Sequence, residues 1–219
     1  MATVLIIGGS GKLGSQLIKL LPEALHPTSE ELDITSKASV KKYILQNQPE
    51  YIIHCAALTD VRKCELNPTL AWNINFLGTS NLIEACEAYI PKCYFIFIST
   101  ACVFSGDSAP YNESSVPKPK NFYAITKFQS ETYLKFSSLQ YLIIRTNFVE
   151  RKPWLYPSAF TDRFGTYLFA DDVAKAIISV VLDDFRGTIH ICGSEKLSMF
   201  ELAKITTPNI KPMTIKDYV

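Results

Sequence analysis

The sequence predicts an α/β fold, in which a doubly wound and mostly parallel sheet is covered by helices on both faces. Segments with strand character alternate with segments of helical periodicity along the whole chain, a pattern typical of parallel sheets. The strand segments are nearly continuous in apolar residues, as strands buried on both faces are. The first of them, residues 2–7, ends abruptly in spaced glycines.

The glycine-rich turn after this first strand has the spacing of a phosphate-binding turn. Gly8 lets the chain turn sharply, Gly11 lets backbone N–H groups approach a pyrophosphate, and Gly14 lets the next helix lie close to the sheet. The positive dipole end of that helix then faces the phosphates. Glycines also serve in ordinary turns, so the spacing alone leaves a purely structural turn as the alternative.

The other elements follow in chain order. The first helix is predicted over residues 11–21 and ends before Pro22, with at most a stub of a strand at 24–26. Thr35 or Ser36 is expected to cap a second helix that ends at Pro49. Further strands are predicted at 51–57, 94–100, 141–146 and 188–192, and further helices at 68–88, 121–136, 171–182 and 198–205. The side chains expected to face the sheet from the second helix are Val40, Tyr43, Ile44 and Leu45. The apolar positions of the long helix are Leu70, Ile74, Leu77, Leu82, Ile83 and Ala85.

Composition and charge describe a globular protein. Apolar residues make up 47% of the 219 residues and charged residues 20%. The formal net charge of +1 gives no electrostatic case for nucleic acid or a membrane surface as a partner, and no apolar run approaches membrane-spanning length. The six cysteines form no C-x-x-C pair, so buried free thiols are expected, with no disulfide and no metal site. Free thiols and the lack of a signal peptide suit the cytoplasm.

A second group of chemical interest lies in the helix predicted over residues 121–136. Tyr123 and Lys127 are four residues apart, which places the phenol and the ammonium on one helix face, where the cation favours the phenolate. The preceding strand ends at Thr100, so its hydroxyl is expected in the same crevice. Taken alone, the pair is also compatible with an amphipathic helix that carries a solvated lysine.

Further marks join these two sites in a fixed order. They are Gly8-x-x-Gly11-x-x-Gly14, Leu32-Asp33-Ile34-Thr35, His54-Cys55-Ala56-Ala57-Leu58-Thr59, Asn75-x-x-Gly78-Thr79, Phe97-Ile98-Ser99-Thr100 followed by Val103-Phe104-x-Gly106, Tyr111-x-Glu113, Tyr123 with Lys127, Arg145-Thr146, and Asp171-Asp172-Val173-Ala174. With these marks the chain resembles the extended short-chain dehydrogenase/reductase family, and within it the dTDP-4-dehydrorhamnose reductase branch, as far as about Ala203.

The resemblance implies a nicotinamide cofactor, NADP or NAD, and a nucleotide-linked sugar as the substrate. Tyr123 would protonate the substrate carbonyl as hydride arrives, Lys127 would hold the nicotinamide ribose and favour ionised Tyr123, and Thr100 would hydrogen-bond the reacting oxygen. The cofactor-binding residues that the resemblance implies are Gly8, Ser10, Gly11, Lys12, Leu13, Gly14, Asp33, Ile34, Ala56, Ala57, Thr59, Asn75, Ser99, Tyr123 and Lys127. A strand-end hydroxyl at Thr100, a helix cap at Asp33 and core packing at Ala56 and Ala57 stay open as alternatives.

The chain departs from this branch at its substrate end. Ala101 and Cys102 stand where the branch usually has Asp-Tyr, Phe148 stands where an indole is common, and residues 150–165 replace a longer segment. The chain also ends before the usual final segment. We expect a dinucleotide-binding Rossmann core over residues 1–149, and a shortened substrate-binding lobe with the last Rossmann elements over 150–219, packed as one compact unit.

Two classes of function are consistent with this pattern. The first is an oxidoreductase that acts on a nucleotide-linked sugar, with reduction favoured over epimerisation. The second is a non-catalytic NAD(P)-binding regulatory protein resembling the beta subunit of methionine adenosyltransferase. Retention of Thr100, Tyr123 and Lys127 favours the enzyme, while the shortened lobe favours the binding protein. Asp171-Asp172 is expected to cap a helix rather than to bind metal, and a homodimer stays open.

Overall fold

A five-stranded parallel sheet forms the centre of the protein. The computed structural model describes residues 2–218, without the side chain of Tyr218. Met1, at the start of the expected Rossmann core, and Val219, at the end of the expected lobe, lie outside the described residues. The strand order is β1-β2-β3-β4-β9, and all neighbouring pairs are parallel. These strands are β1 Val4–Ile7, β2 Tyr51–His54, β3 Tyr94–Thr100, β4 Gln140–Thr146 and β9 Gly187–Ile191. The predicted doubly wound α/β class is confirmed.

Helices cover both faces of this sheet because the side chains of its strands are apolar on both sides. Two helices pack on one face, α1 Gly14–Leu20 and α7 Ala170–Leu182. Three helices pack on the other face, α2 Lys37–Asn47, α5 Gly78–Tyr89 and α6 Phe122–Lys135. The shorter helices are α3 Val61–Leu66, α4 Pro68–Trp72 and α8 Met199–Thr206, and the π-helical turn Asn73–Leu77 joins α4 to α5.

Polar side chains cap the helices where the sequence predicts their starts. Ser36, one of the two expected caps, accepts a hydrogen bond from the Ser39 N–H at the start of α2. Asn121 does the same for the Ala124 N–H of α6 at 2.8 Å. Ser198 and Glu201 form a reciprocal capping box at α8. These contacts satisfy N–H groups that have no partner within the helix.

A small lobe is built from two segments of the chain, one between β4 and α7 and the other after β9. It contains the short pairs β5 Phe148–Val149 with β8 Leu168–Phe169, β6 Ser158–Phe160 with β11 Lys211–Met213, and β7 Phe164–Gly165 with β10 Leu197–Ser198. Ala159, Ala203 and Ile210 form a small core of its own, against which Trp154 and Phe200 pack. Short 3-10 turns complete the described chain at Ala101–Val103 and Ile215–Tyr218.

Several predicted details are wrong. Leu45, Leu70 and Leu77 are 42%, 50% and 41% exposed, because the helical faces that they occupy turn away from the sheet. Helix α3, which is only six residues long, is absent from the prediction. By contrast, the expectation of at most a strand stub at residues 24–26 is confirmed, since a single bridge joins Leu25 to Leu5 there.

The pair Asp171 and Asp172 does not cap α7. Phe169 occupies the N-cap position without a side-chain bond, and both carboxylates lie in the first turn. There they bind the Arg151 guanidinium at 3.2 and 2.7 Å. Carboxylates in a first turn still favour the helix dipole, so the two residues anchor Arg151 to the start of α7.

All six cysteines are free thiols, and Cys64, Cys86 and Cys93 are buried, as predicted for part of the set. Among residues 2–218, no helix has the length and apolar character needed to span a membrane. The same part of the chain brings no three His, Cys, Asp or Glu side chains together in a group that a metal ion would need.

Candidate active site

The glycine-rich turn follows β1 at the edge of the sheet where all five strands end. Gly8 has a φ of +88°, and a Cβ placed there would lie 2.6 Å from the Ala56 nitrogen. Gly11 donates its N–H to the Gly8 carbonyl at 3.0 Å, and a Cβ at Gly14 would overlap that same carbonyl oxygen. Side chains at Gly8 and Gly14 are therefore excluded, and the turn stays tight enough for α1 to start directly behind it.

Thr100, at the carboxyl end of β3, contacts Tyr123 of α6. Thr100 is the last residue of that strand, and its hydroxyl hydrogen-bonds the Tyr123 phenol and accepts from the Cys102 N–H at 3.1 Å. Tyr123 lies in the first turn of α6 and Lys127 one turn later, with 9% and 2% of their surfaces exposed. The structure therefore places Tyr123 in contact with Thr100, and Lys127 one helical turn further along the buried side of α6.

The environment of Tyr123 keeps its phenol protonated. Burial raises the pKa of Tyr123 well above its usual range, the nearby Cys102 thiol adds to this rise, and the Thr100 hydrogen bond opposes it. Lys127 is not the group that lowers this pKa, contrary to the expectation from the i, i+4 spacing. A phenol that holds its proton at neutral pH is suited to act as a general acid.

Lys127 is a buried cation that lies over an aromatic ring. Its Nζ is 3.9 Å from the centroid of the Phe97 ring. Burial lowers the pKa of Lys127 to about 7, although the carboxylate of Glu131 acts in the opposite direction. Since Tyr123, Lys127 and Glu131 follow at intervals of four residues, they form one stripe along the buried face of α6.

Asn75 braces the loop that follows β2. Its side-chain oxygen accepts the Leu58 N–H at 2.7 Å, and its amide donates to the Leu58 carbonyl and to the Thr126 hydroxyl, both at 3.0 Å. The side chain is 1% exposed, and its polar atoms are engaged in these bonds. The predicted direct cofactor contact through this side chain is therefore corrected: Asn75 positions residues 55–59, which lie beside the glycine turn.

His54 extends this brace beneath the site. The Thr79 hydroxyl donates to the Asn75 carbonyl at 2.6 Å, so the His54 Nε2, 2.9 Å from the same hydroxyl, must be the donor of their shared bond. Burial, assisted by the positive charge of Lys127, lowers the pKa of His54 to about 3. His54 is thus a neutral structural histidine.

Ser99 also has a different role from the predicted one. Its hydroxyl donates to Glu131 of α6, on the face of β3 that also carries Phe95 and Phe97. Arg145 on β4 donates to both carboxylate oxygens of Glu131, at 2.7 to 3.2 Å, and both ionic side chains are buried. This cluster fixes α6 on the sheet, and Ser99 belongs to it rather than to the crevice.

The other residues predicted to bind the cofactor fall into two groups, one with buried side chains and one with accessible side chains. Leu13 and Ile34 are 3% and 8% exposed and belong to the two main core clusters, so their side chains are not free to line a ligand. Asp33 is exposed and accepts bonds from the Thr35 N–H and hydroxyl at 2.9 and 2.7 Å, as an Asx turn does. The accessible or partly accessible members at this edge of the sheet are Ser10, Lys12, Ala56, Ala57 and Thr59.

The strand-end edge fits an extended ligand that starts with phosphates. Three consecutive strands in space contribute to it: the glycine turn after β1, the loop 55–59 after β2 and Thr100 at the end of β3. The glycine turn has no side chains that would block the approach of phosphate oxygens to its backbone. The residues present therefore fit a dinucleotide that runs from β1 towards β3.

Some residues that build the site give only a weak signal in the sequence. Glu131 follows Lys127 at the same spacing that separates Lys127 from Tyr123, and this repeat was available as a hint. His54 lies inside one of the recognised marks, but only the fold pairs it with Thr79. The bond between Glu65 of α3 and the Phe122 N–H at 2.7 Å has no local sequence signal.

The parallel sheet, the glycine turn on β1 and the Tyr123–Lys127 pair beside Thr100 together define an oxidoreductase of the short-chain dehydrogenase/reductase class. Comparisons with known proteins give the particular family. Residues 1–214 match the RmlD substrate binding domain family, and the chain belongs to it.

Three relatives illustrate this membership. The chain is 32% identical to dTDP-4-dehydrorhamnose reductase from Aggregatibacter actinomycetemcomitans, over 93% of this chain and 77% of the relative. It is 27% identical to methionine adenosyltransferase 2 subunit beta from Bos taurus, over 96% and 75% of the two chains. A crystal structure of dTDP-4-dehydrorhamnose reductase from Bacillus anthracis in complex with NADP is similar with a TM-score of 0.90, at 28% identity, over 100% of this chain and 86% of that one.

Proposed function

We propose that this chain is an NAD(P)-dependent oxidoreductase that reduces the keto group of a nucleotide-linked sugar. The observation that carries the proposal is the contact of Tyr123 with Thr100 at the end of β3, with Lys127 one helical turn away, beside an edge that fits a dinucleotide. Relatives that are reductases of this substrate class support it.

The residues divide the work of the reaction. Bound reduced nicotinamide would supply the hydride for the carbonyl carbon. The Tyr123 O–H donates its proton to the carbonyl oxygen, and the Thr100 hydroxyl hydrogen-bonds that oxygen as its negative charge develops. The Lys127 ammonium is one helical turn away on the same face, where it would hold the ribose that carries the nicotinamide. The product is the alcohol, and Tyr123 recovers its proton from water.

The first test is whether bound reduced cofactor is oxidised when nucleotide 4-keto-sugars are added. Tyr123→Phe should preserve cofactor binding and lower turnover by roughly two to four orders of magnitude, the usual worth of general acid catalysis. Tyr141→Phe, on a strand remote from Thr100, is the matched control and should leave turnover unchanged. Near-normal turnover by Tyr123→Phe would remove the proposed acid.

The second candidate is a cofactor-binding regulatory protein, which is favoured by the similarity to methionine adenosyltransferase 2 subunit beta. It predicts tight cofactor binding without oxidation in any 4-keto-sugar assay. A nucleotide-sugar epimerase is the third, less favoured candidate. It would invert the configuration at one carbon of the sugar without net consumption of cofactor.

Location and assembly complete the proposal. Six free thiols suit a reducing cytoplasm. The exposed side chains of Leu66, Leu70 and Leu77 on the α3–α5 surface suit a contact between two copies of the chain. Light scattering of the purified protein tests this homodimer.

A further inference from the structure

Tyr167 is held rigidly over the ends of β4 and β9. The residue before it, Thr166, accepts the Gly193 N–H at 3.0 Å just after β9 ends. The residue after it, Leu168, donates its N–H to the Asn147 carbonyl at 3.2 Å just after β4 ends. The backbone of Tyr167 is therefore fixed from both sides, although it lies in a segment that connects two strands of only two residues.

Two glycines make room for this tyrosine. A Cβ at Gly165 would lie 2.8 Å from the Tyr167 ring and 3.1 Å from its phenol oxygen. A Cβ at Gly193 would lie 2.5 Å from the Tyr167 carbonyl oxygen. Any side chain at either position would displace the ring or the backbone, so this placement of the phenol depends on both glycines.

The phenol has a polar partner and shares a neighbour with the proposed acid. The side chain of Asn147 hydrogen-bonds the Tyr167 phenol, whose pKa is raised chiefly by burial. With the Asn147 amide as the donor of this bond, the Tyr167 O–H is left to donate to another group. Cys102 lies close enough to act electrostatically on both Tyr167 and Tyr123. Tyr167 is only partly buried.

The order of the strands decides which ligand this is. The glycine turn, the loop 55–59 and Thr100 follow β1, β2 and β3, whereas Tyr167 lies over β4 and β9. Tyr167 is thus on the opposite side of Thr100 from the glycine turn. A dinucleotide that starts at β1 and brings its reacting end to Thr100 leaves Tyr167 facing the substrate.

We propose that Tyr167 is a substrate-orienting residue, which donates a hydrogen bond to a hydroxyl of the sugar ring held beside Thr100 and Tyr123. This inference rests on the proposed function, because it takes the substrate to be a nucleotide-linked sugar. Tyr167 moves no proton in the reaction. It fixes the rotation of the ring, so that the keto group and not a neighbouring hydroxyl faces the acid.

The test compares Tyr167→Phe with wild type by calorimetry, using dTDP-glucose and dTDP as probes. Because dTDP-glucose has no keto group, it binds without being reduced. Loss of one neutral hydrogen bond should weaken binding of dTDP-glucose by about five- to tenfold and leave that of dTDP unchanged. Tyr156→Phe, at an exposed tyrosine of the same lobe, is the matched control and should change neither value.

Steady-state kinetics provides a second measurement. With a reducible 4-keto-sugar nucleotide, Tyr167→Phe should lower kcat/KM by at least a similar factor and lower kcat as well, because the variant binds the sugar less tightly and lets the ring take unproductive orientations. Asn147→Ala, which releases the phenol, should lower kcat/KM in the same direction. A merely structural role would instead lower the melting temperature and weaken dTDP binding equally.

The outcomes separate the two hypotheses. If Tyr167→Phe binds dTDP-glucose as tightly as wild type, or loses dTDP to the same extent, the orienting role is overturned. If wild type binds dTDP-glucose but reduces no keto-sugar, the oxidoreductase proposal fails and the calorimetric comparison still decides the role of Tyr167. A wild-type protein that binds neither probe overturns both.

Discussion

Replacing Lys127 with methionine removes a buried cation from α6 and keeps a side chain of similar length. The pKa of Lys127 falls from its usual 10.5 to about 7 on burial. At about 1.4 kcal/mol for each pKa unit, the charged form is therefore destabilised in the fold by up to about 5 kcal/mol. We expect Lys127→Met to be more stable than wild type near pH 6, by several kcal/mol at most.

The pH dependence of this gain follows from proton binding. Between about pH 7 and 10.5 the unfolded chain holds a proton that the folded chain has released, so wild-type stability rises with pH across this window. The destabilisation by Lys127 is complete below about pH 7 and vanishes as the pH approaches 10.5. The difference between Lys127→Met and wild type should therefore be largest at pH 6 and small at pH 10.

Urea unfolding without cofactor at pH 6, 8 and 10 measures this difference directly. Lys135→Met is the matched control, because Lys135 is exposed at the end of the same helix and should give a small change with little pH dependence. The same Lys127→Met protein should lose cofactor binding and turnover. A variant that is less stable than wild type at pH 6, or a gain that does not shrink by pH 10, would refute the reasoning.

Three further predictions concern the buried ion pair and the two ligands. Arg145→Met leaves the carboxylate of Glu131 buried without its partner and should cost about 3–5 kcal/mol, measured by urea unfolding; a cost below about 1 kcal/mol would contradict the buried charge. NADP(H) should bind at least as tightly as NAD(H), because residues 26–29 carry no carboxylate and Lys12 is exposed nearby in the glycine turn; calorimetry that gives clearly tighter NAD(H) binding would reverse this. Activity on dTDP-4-dehydrorhamnose itself should be weak, with kcat/KM below about 10⁴ M⁻¹s⁻¹, since Cys102 does not replace the hydrogen bonds of an Asp-Tyr pair; steady-state assays that give an ordinary value would show that this departure does not matter.

The sequence predicts the main helices and strands well where the pattern of apolar residues and the local capping chemistry indicate the same element. The strand ending at Thr100 is apolar along its length, and all seven of its residues are buried. The cap at Asn121 lies directly before the helix that carries Tyr123 and Lys127. In each case a local rule, either apolar continuity or a side-chain cap, is consistent with the tertiary packing.

The roles of individual polar side chains are harder to predict because they depend on partners far away in sequence. Ser99 directly precedes Thr100 in the sequence, yet strand alternation turns its hydroxyl towards Glu131, 32 residues later. Asn75 reaches Thr126 over 51 residues. Family resemblance identifies that these positions matter, but only the fold distinguishes a residue that contacts a ligand from one that braces the loop beside it.

The π-helical turn Asn73–Leu77 has a consequence for how this chain tolerates length changes. It places one extra residue between α4 and α5, and the Asn75 carbonyl within it accepts the hydroxyls of Thr79 and Ser130 at 2.6 and 2.9 Å. A single-residue deletion there would restore an unbroken α-helix. It would also rotate everything on one side of the cut by about 100°, since each residue of an α-helix advances by 1/3.6 of a turn. The Asn75 amide would then turn away from Leu58. A regular α-helix here would therefore misplace the loop beside the glycine turn. The π-helical turn acts as a spacer, and we expect a deletion within it to disrupt that loop.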